Sequence, residues 1–194
     1  DRLENIIGWD CGPANSLLDL AIQKLSKEKS FYDKDALIAA RGFTYEAVIK
    51  EWLKEPFFKK NPPKSTGREQ FGLEDLYRRF SDMPSTKLSD LLATLTAFTA
   101  AVIAQDLDNL YTAKSIRPFE LLVAGGGCRN PLMLQEIIQR CRGISVSTID
   151  DIGVPSEARE ALSFALLAWW HCLQYPGNSP YITGARKETV LGMR

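Results

Sequence analysis

The stretch FELLVAGGGCRNPLMLQEIIQRCRGISVSTI, residues 119–149, decides the fold class of this sequence. It begins with an apolar run at residues 119–124 that predicts a buried strand, followed by three glycines and a predicted helix at 131–141. Residues 144–149 predict a second strand. Strand, glycine turn, helix and strand in this order are typical of a right-handed βαβ unit with parallel strands. The sequence therefore predicts an α/β fold.

Helices are predicted on both sides of this unit, because apolar side chains recur there at helical spacing. They cover residues 15–25 with Asn15 as N-cap, 45–54, 87–111 capped by Ser85, and 156–174. The helix at 87–111 has a broad apolar face, which predicts a central buried helix. A short strand is predicted at 6–10. The polar, proline-broken stretch 56–71 predicts a loop within the domain, of a length that is usually functional or mobile.

Charge and cysteine content exclude several classes of protein. The 194 residues carry 24 basic and 24 acidic side chains, so no global basic field favours nucleic acid or an anionic membrane. Four scattered cysteines and the single His171 give no metal-site spacing, and reduced, buried thiols of a cytoplasmic protein are expected. The apolar stretch 164–173 is about half as long as a bilayer span, so no membrane segment is predicted.

Gly125, Gly126 and Gly127 stand between a predicted strand and a predicted helix. Because they lack Cβ atoms, their backbone can approach a base or a phosphate, and the following helix N-terminus offers free N–H donors. A tight turn is the structural alternative, but such a turn needs one glycine rather than three. We therefore predict a nucleotide-contacting loop.

Asp10 ends the predicted first strand and precedes Gly12 and a helix. A carboxylate in this place can act as a general base or hold Mg²⁺ through water, and it can equally cap the helix. The residues alone leave these alternatives open.

A second group of carboxylates follows the second strand of the βαβ unit: Asp150, Asp151, Glu157 and Glu160. Acidic residues at a helix start are favoured by the helix dipole, which is the structural explanation for the group. Glu160 differs, because its spacing puts it at the edge of the apolar face. A carboxylate beside a buried face requires a partner or a function.

The loop at 56–71 contains Lys-Ser-Thr-Gly-Arg-Glu at residues 64–69. The G-x-x-x-x-G that precedes G-K-[ST] in a P-loop is absent, so the segment is not a Walker A motif. Arg68 is suited to a carboxylate or a phosphate, while a solvated loop with internal ion pairs is the alternative. Trp169, Trp170 and His171 are predicted to pack in the core or at its boundary.

Five motifs, in order along nearly the whole chain, carry a family resemblance. D-T-G-P-G-N stands here as Asp10-Cys11-Gly12-Pro13-Ala14-Asn15, P-K-S-T-G-R-E is intact at 63–69, G-G-G-x-x-N matches 125–130, E-A-x-x-F-A matches 160–165, and P-G-N…T-G-A matches 176–178 and 183–185. The chain resembles the anhydro-N-acetylmuramic acid kinases of the actin/hexokinase/Hsp70 ATPase superfamily.

The resemblance implies a ribonuclease H-like, actin-type ATPase domain with a mixed sheet flanked by helices. Residues 1–194 would be the C-terminal, ATP-binding domain, with 56–71 as a polar substrate-cleft loop. The chain begins with Asp1 rather than Met, so we expect a longer protein whose N-terminal domain is missing here. Alone, this part is expected to have no turnover. A homodimer is a further possible partner arrangement.

The implied activity uses ATP, Mg²⁺ and water to open the 1,6-anhydro bond of the amino sugar and phosphorylate O6, in cell-wall recycling. Asp10 would be the general base and Glu160 a supporting carboxylate. Gly125, Gly126, Gly127 and Asn130 would contact the nucleotide, and Gly12, Asn15, Ser65, Thr66 and Arg68 the substrate cleft. Mg²⁺ would bridge the ATP phosphates, since phosphoryl transfer depends on charge neutralisation.

The chain departs from the family pattern at Cys11, where the family has Thr, and at Ala14, where it has Gly. Cysteine is a poorer hydrogen-bond donor, and alanine requires that the backbone avoid a conformation open only to glycine. Two alternatives remain. A non-catalytic nucleotide- or sugar-binding module would use the same loops, and a Rossmann-type NAD or S-adenosylmethionine enzyme would share the strand–glycine–helix order, although Asn130 stands where that helix requires a small residue.

Overall fold

The computed structural model describes residues 6–26 and 30–192. Its helices are α1 (Ser16–Leu25), α2 (Glu46–Trp52), α3 (Leu73–Asp82), α4 (Leu88–Lys114), α5 (Pro131–Arg140), α6 (Arg159–Cys172) and α7 (Pro180–Thr183). The two strands are β1 (Glu120–Val123) and β2 (Ser145–Thr148). The described chain is therefore rich in helix, with one small sheet. Helices α3 and α7 were not predicted.

The βαβ unit predicted from residues 119–149 is confirmed. Strands β1 and β2 are parallel, in a register that runs from Glu120 opposite Ser145 to Val123 opposite Thr148, and α5 connects them. Pro131 occupies the first turn of α5, where its missing N–H costs nothing. Among the described residues the sheet has these two strands only, so the larger mixed sheet is not seen.

The strand predicted at residues 6–10 is wrong for this structure. The segment has no regular secondary structure, because no described strand pairs with it. Its end is held instead by the loop at 56–71, where the Asp10 N–H donates to the Lys64 carbonyl at 3.0 Å. The backbone is satisfied by a loop contact rather than by a ladder of strand hydrogen bonds.

Helix α4 is the central core helix, as its apolar face predicts. Leu91, Leu92, Leu95 and Phe98 are at most 1% exposed, and α4 packs against α1, α2 and α5. By length and composition α4, unlike residues 164–173, is long and apolar enough to cross a membrane, but 72% of its most apolar window is buried inside the fold. This burial identifies it as a core helix.

Helix α6 departs from the prediction that its apolar face packs inward. None of its residues is buried, and Phe164 and Trp169 are 70% and 60% exposed. The prediction that Trp169 packs in the core or at its boundary is therefore wrong. No element within residues 6–26 and 30–192 covers this face of α6. The expectation of buried thiols also fails at Cys172, which is exposed on the same helix, whereas Cys141 is buried.

Candidate active site

The carboxylate of Asp10 is held by the segment at 64–69. Its Oδ2 accepts hydrogen bonds from the Ser65 hydroxyl at 2.8 Å and from the Thr66 backbone N–H at 3.0 Å. The Asp10 N–H donates to the Lys64 carbonyl at 3.0 Å. Two motifs more than 50 residues apart in sequence are thus in direct contact. Asp10 does not cap α1, so the capping alternative is not what the structure contains.

Asp10 opens onto a cavity of about 460 Å³, called here the first cavity. Its lining includes Gly12, Thr66, Arg68 and Thr99. Gly12 is closely packed, since a Cβ there would lie 3.2 Å from the Val102 side chain, which would have to shift slightly. The first cavity therefore gathers most of the residues predicted for the substrate cleft around one carboxylate.

A second cavity of about 500 Å³ is lined by Asn15, Asp19, Gly126, Arg129 and Asn130, among others. The glycine loop and the Asn15 side chain are in contact distance: a Cβ on Gly126 or Gly127 would lie 3.7–3.8 Å from the Asn15 amide. Asn15 stands at the N-cap position of α1 but makes no side-chain cap bond, because its own backbone is already helical. The predicted capping role is wrong, and its side chain faces the glycine loop instead.

Of the three glycines and Asn130, some have a structural role and others line the second cavity. Gly125 has φ 84°, the left-handed conformation that the tight-turn alternative requires. Gly126 lines the second cavity, while Gly125 and Gly127 do not. Asn130 lines it too, and its Oδ1 also caps α5 by accepting from the Met133 N–H at 2.9 Å. Nucleotide contact remains a prediction for all four.

Glu160 lies outside both cavities. Its side chain is 79% exposed and pairs with Arg159 at 3.6 Å. Its supporting role for Asp10 remains a prediction, and the apolar face at whose edge it was placed is not buried here.

Asp150 and Asp151 have structural roles, because each accepts hydrogen bonds at a turn that leads into a helical segment. Hydrogen bonds from the Ser156 hydroxyl and backbone N–H lower the pKa of Asp150, and those from the Thr148 backbone N–H and hydroxyl lower the pKa of Asp151. These carboxylates are stabilised as anions by the turns they close.

The whole chain is similar to known proteins of one family. The family described as anhydro-N-acetylmuramic acid kinase matches residues 3–194. The chain belongs to this family. It is similar over its full length to curated proteins named anhydro-N-acetylmuramic acid kinase, being 58% identical to that of Prochlorococcus marinus (strain MIT 9313) and 53% identical to that of Synechococcus sp. (strain CC9311). It covers 51% and 50% of those relatives, so the chain spans about half the length of the curated relatives it matches.

Family membership implies an actin/hexokinase-type ATPase fold, with which the small parallel sheet and its flanking helices are compatible. It favours the kinase interpretation over the Rossmann-type alternative. The match extends through both segments that form the first cavity, which the strand–glycine–helix order alone does not explain.

Cys11, which replaces the family's Thr, is an inert thiol. Burial and then the negative charge of Asp106 raise its pKa to about 12, so it stays protonated at neutral pH. It lines the first cavity next to Asp10. Cys11 therefore offers the cavity a small, neutral side chain rather than a nucleophile.

Ala14, which replaces the family's Gly, has φ 47°. This is the left-handed region, where glycine is at ease and an L-residue loses about 1–2 kcal/mol. This position thus has a backbone conformation that favours glycine while carrying a Cβ.

We expect Ala14→Gly to stabilise the fold by about 0.5–1 kcal/mol, because relief of the strain exceeds the added entropy of the unfolded chain. Urea unfolding of the full-length protein measures the change. The matched control is Ala165→Gly, at an exposed position within α6, which should destabilise by about 0.5–1 kcal/mol. A loss of stability in both variants would contradict the assignment of strain to Ala14.

Two acidic residues at the site were not predicted from the sequence. Asp19 lines the second cavity, and burial raises its pKa while the positive charge of Arg68 opposes the rise. Asp106, on α4, is 5% exposed and accepts hydrogen bonds from Trp9, which precedes Asp10, and from Lys64, which precedes Ser65. Asp19 could have been found as the residue one turn after Asn15. Asp106 gives no local signal, because its partners are remote in sequence.

Proposed function

We propose that this chain is the C-terminal, ATP-binding part of a kinase that opens 1,6-anhydro-N-acetylmuramic acid with water and phosphorylates O6. The observation that carries the proposal is the Asp10 carboxylate, fixed by Ser65 and Thr66 at the wall of a cavity, in a chain of this family. The product would be N-acetylmuramic acid 6-phosphate, and we expect the enzyme to act in the cytoplasm. A homodimer is compatible with this proposal.

Asp10 is proposed as the general base. Both hydrogen bonds described for its carboxylate go to Oδ2, so we assign proton transfer to Oδ1. Water would lose a proton to Oδ1 as its oxygen bonds to C1 and the C1–O6 bond breaks. O6 then bonds to the γ-phosphorus of ATP, and ADP leaves. Positioned proton transfer of this kind contributes roughly 10²–10⁴-fold to a rate.

The second cavity is proposed as the nucleotide site. Gly126 lets the ligand approach the backbone, and the N-terminus of α1 lies between the two cavities, since Asn15 lines the second and Ser16 the first. The Ser16 N–H donates to the Pro13 carbonyl, and the other first-turn N–H groups of a helix terminus favour a phosphate. In this arrangement the nucleotide phosphates would point toward Asp10, and Arg68 in the first cavity could pair with an anionic group of the ligand.

The side chains at the two cavities are compatible with a Mg²⁺ ion held mainly by ATP phosphates and water. Among residues 6–26 and 30–192 there is no group of three or more His, Cys, Asp or Glu side chains able to form a protein cage. Mg²⁺ in kinases keeps several waters and is held largely by phosphate oxygens, so Asp10 on the first cavity could contact it through a water while Oδ1 stays free for the proton. When bound, the ion neutralises phosphate charge during transfer.

The proposal is tested on the full-length protein with ATP, Mg²⁺ and the anhydro sugar, by following ADP release and identifying the sugar product by mass spectrometry. One sugar 6-phosphate formed for each ADP supports the kinase. Binding of an ATP analogue and the sugar without turnover would favour the non-catalytic module. Binding of NAD or S-adenosylmethionine in place of ATP would overturn the proposal in favour of the Rossmann-type enzyme.

Gly126→Val is expected to weaken binding of a non-hydrolysable ATP analogue about tenfold, which corresponds to ~1.4 kcal/mol. The new side chain would occupy the second cavity beside the Asn15 amide. Calorimetric titration of the full-length protein measures the affinity. Ala113→Val, at an exposed position of α4 outside both cavities, should leave it unchanged. Equal affinities for the two variants would place the nucleotide elsewhere.

A further inference from the structure

Beneath Asp10 lies a buried network centred on the carboxylate of Asp106. Its Oδ1 accepts from the Lys64 ammonium at 2.9 Å, and its Oδ2 accepts from the Trp9 indole N–H at 2.7 Å. The side chains of Lys64 and Asp106 are only 2% and 6% exposed. Lys64 also lies over the Phe57 ring, 5.1 Å from its centroid. An ion pair is thus enclosed in the core next to the first cavity.

The partners of Asp106 are the residues that flank Asp10 and its contacts. Trp9 precedes Asp10 in the chain, and Cys11 follows it with its thiol beside Asp106. Lys64 contributes the carbonyl that accepts from the Asp10 N–H, and it is followed directly by Ser65, which donates to the Asp10 carboxylate. One carboxylate on α4 therefore holds both chain segments whose contact defines the position of Asp10.

Stability alone does not account for this arrangement. Enclosing two charges costs several kcal/mol per ion, and apolar replacements of a buried pair are often neutral or stabilising. An apolar pair could fill the same volume, but it could not bond the Trp9 indole or fix the direction of Lys64. What the ion pair supplies is therefore a defined geometry between α4 and the two segments.

We propose that Asp106 and Lys64 are positioning residues for Asp10: their ion pair fixes the segment at 64–66 against residues 9–11, so that Ser65 and Thr66 hold the carboxylate in its reactive orientation. This inference rests on the proposed function, in which Asp10 is the general base. It predicts that the pair contributes to turnover more than to folding or to nucleotide binding.

The test uses the full-length enzyme with the double variant Lys64→Met/Asp106→Leu, which replaces the pair by apolar side chains of similar size. The thermal midpoint is expected within about 5 °C of the wild type. Turnover is expected to fall about 100-fold, with KM for ATP within about threefold, because misplacement of a catalytic group by about 1 Å costs this much. Wild-type turnover in the folded double variant would overturn the proposal.

Two further variants keep the test decisive. Trp9→Phe keeps an aromatic side chain at this partly exposed position but removes the fused five-membered ring that carries the N–H, so it can be assayed even if the double variant does not fold. Turnover should fall about fivefold while KM for ATP is unchanged, and unchanged turnover would contradict the proposal. Arg140→Met, which breaks the ion pairs of Arg140 with Glu136 on α5 and Glu46 on α2, is the control and should leave turnover unchanged.

Asp10→Asn, assayed in parallel, separates failure of this inference from failure of the proposed function. An inactive Asp10→Asn enzyme together with a fully active double variant would overturn the positioning role alone. An active Asp10→Asn enzyme would remove the general base itself, and the positioning role with it.

Discussion

Asp10→Asn in the full-length enzyme is expected to lower turnover about 10²–10⁴-fold, while the affinity for an ATP analogue stays within about twofold. The amide keeps the shape of the carboxylate, and with its oxygen in the place of Oδ2 it can still accept from Ser65 and Thr66, so the segment at 64–66 stays in place. It cannot take a proton from water. The loss therefore falls on the chemical step, and single-turnover kinetics with calorimetry measure the two quantities separately.

The control for this substitution is Asp108→Asn, which makes the same chemical change at an exposed position on α4, outside both cavities. Its turnover should equal that of the wild type. If Asp10→Asn retained more than about a tenth of wild-type turnover, the base would have to be another group, and Glu160 would be the first to examine. If it lost nucleotide affinity instead, Asp10 would belong to the nucleotide site.

The parts of the fold that were predicted correctly are those with a strong local signal. The unit of β1, α5 and β2 follows from two short apolar runs, three glycines and Pro131, all within 31 residues. The burial of α4 follows from apolar residues at helical spacing over most of its length. In both cases, propensity, periodicity and turn chemistry agree with one another, and such agreement is what makes a segment predictable.

Helix α3 was missed although Leu73, Leu76, Tyr77 and Phe80 recur at helical spacing, because six of its ten residues are polar or charged and one of these occupies a core position. A pattern rule assigns arginine to solvent, whereas Arg79 is fully buried. The strand predicted at 6–10 failed for the opposite reason. Its local pattern suits a strand, but a strand forms only where a neighbour pairs with it, and no described residue does.

The candidate site was predictable as a set of motifs but not as a geometry. The sequence identified Asp10 and the segment at 64–69 separately, and neither pattern states that Ser65 and Thr66 donate to that carboxylate. The buried pair of Lys64 and Asp106, which are 42 residues apart in sequence, lies beside this contact. Such pairs depend on how α4 packs, and single-sequence periodicity carries no information about them.

Arg79→Met is expected to lower the free energy of unfolding by about 3 kcal/mol or more, because removing one partner from a buried ionic group typically costs 3–5 kcal/mol. Arg79 is fully buried and bonds to Asp75 at 2.8 Å and to Glu55 at 3.1 Å. Its guanidinium also lies 4.9 Å from the Trp52 ring centroid and 4.6 Å from that of Phe98. Methionine fills the space but restores neither the charge nor the stacking.

Arg78 provides a matched control one position away. It pairs with the same two carboxylates, Asp75 and Glu55, but its side chain is 46% exposed. Arg78→Met should therefore cost less than about 1 kcal/mol, the range of solvent-exposed ion pairs. Guanidinium chloride unfolding of the full-length variants measures both changes. Equal losses at the two positions would mean that the carboxylate contacts, rather than burial between aromatic rings, determine the contribution of Arg79.

Arg79→Lys separates charge from shape. Lysine keeps the positive charge, but it cannot bond Asp75 and Glu55 through a planar fork or stack flat on Trp52 and Phe98. We expect it to lose at least half as much stability as Arg79→Met. Since Trp52 lies on α2 and Phe98 on α4, the guanidinium joins three helices at one point. Wild-type stability in Arg79→Lys would show that a buried cation of any shape suffices, and that the aromatic stacking adds nothing.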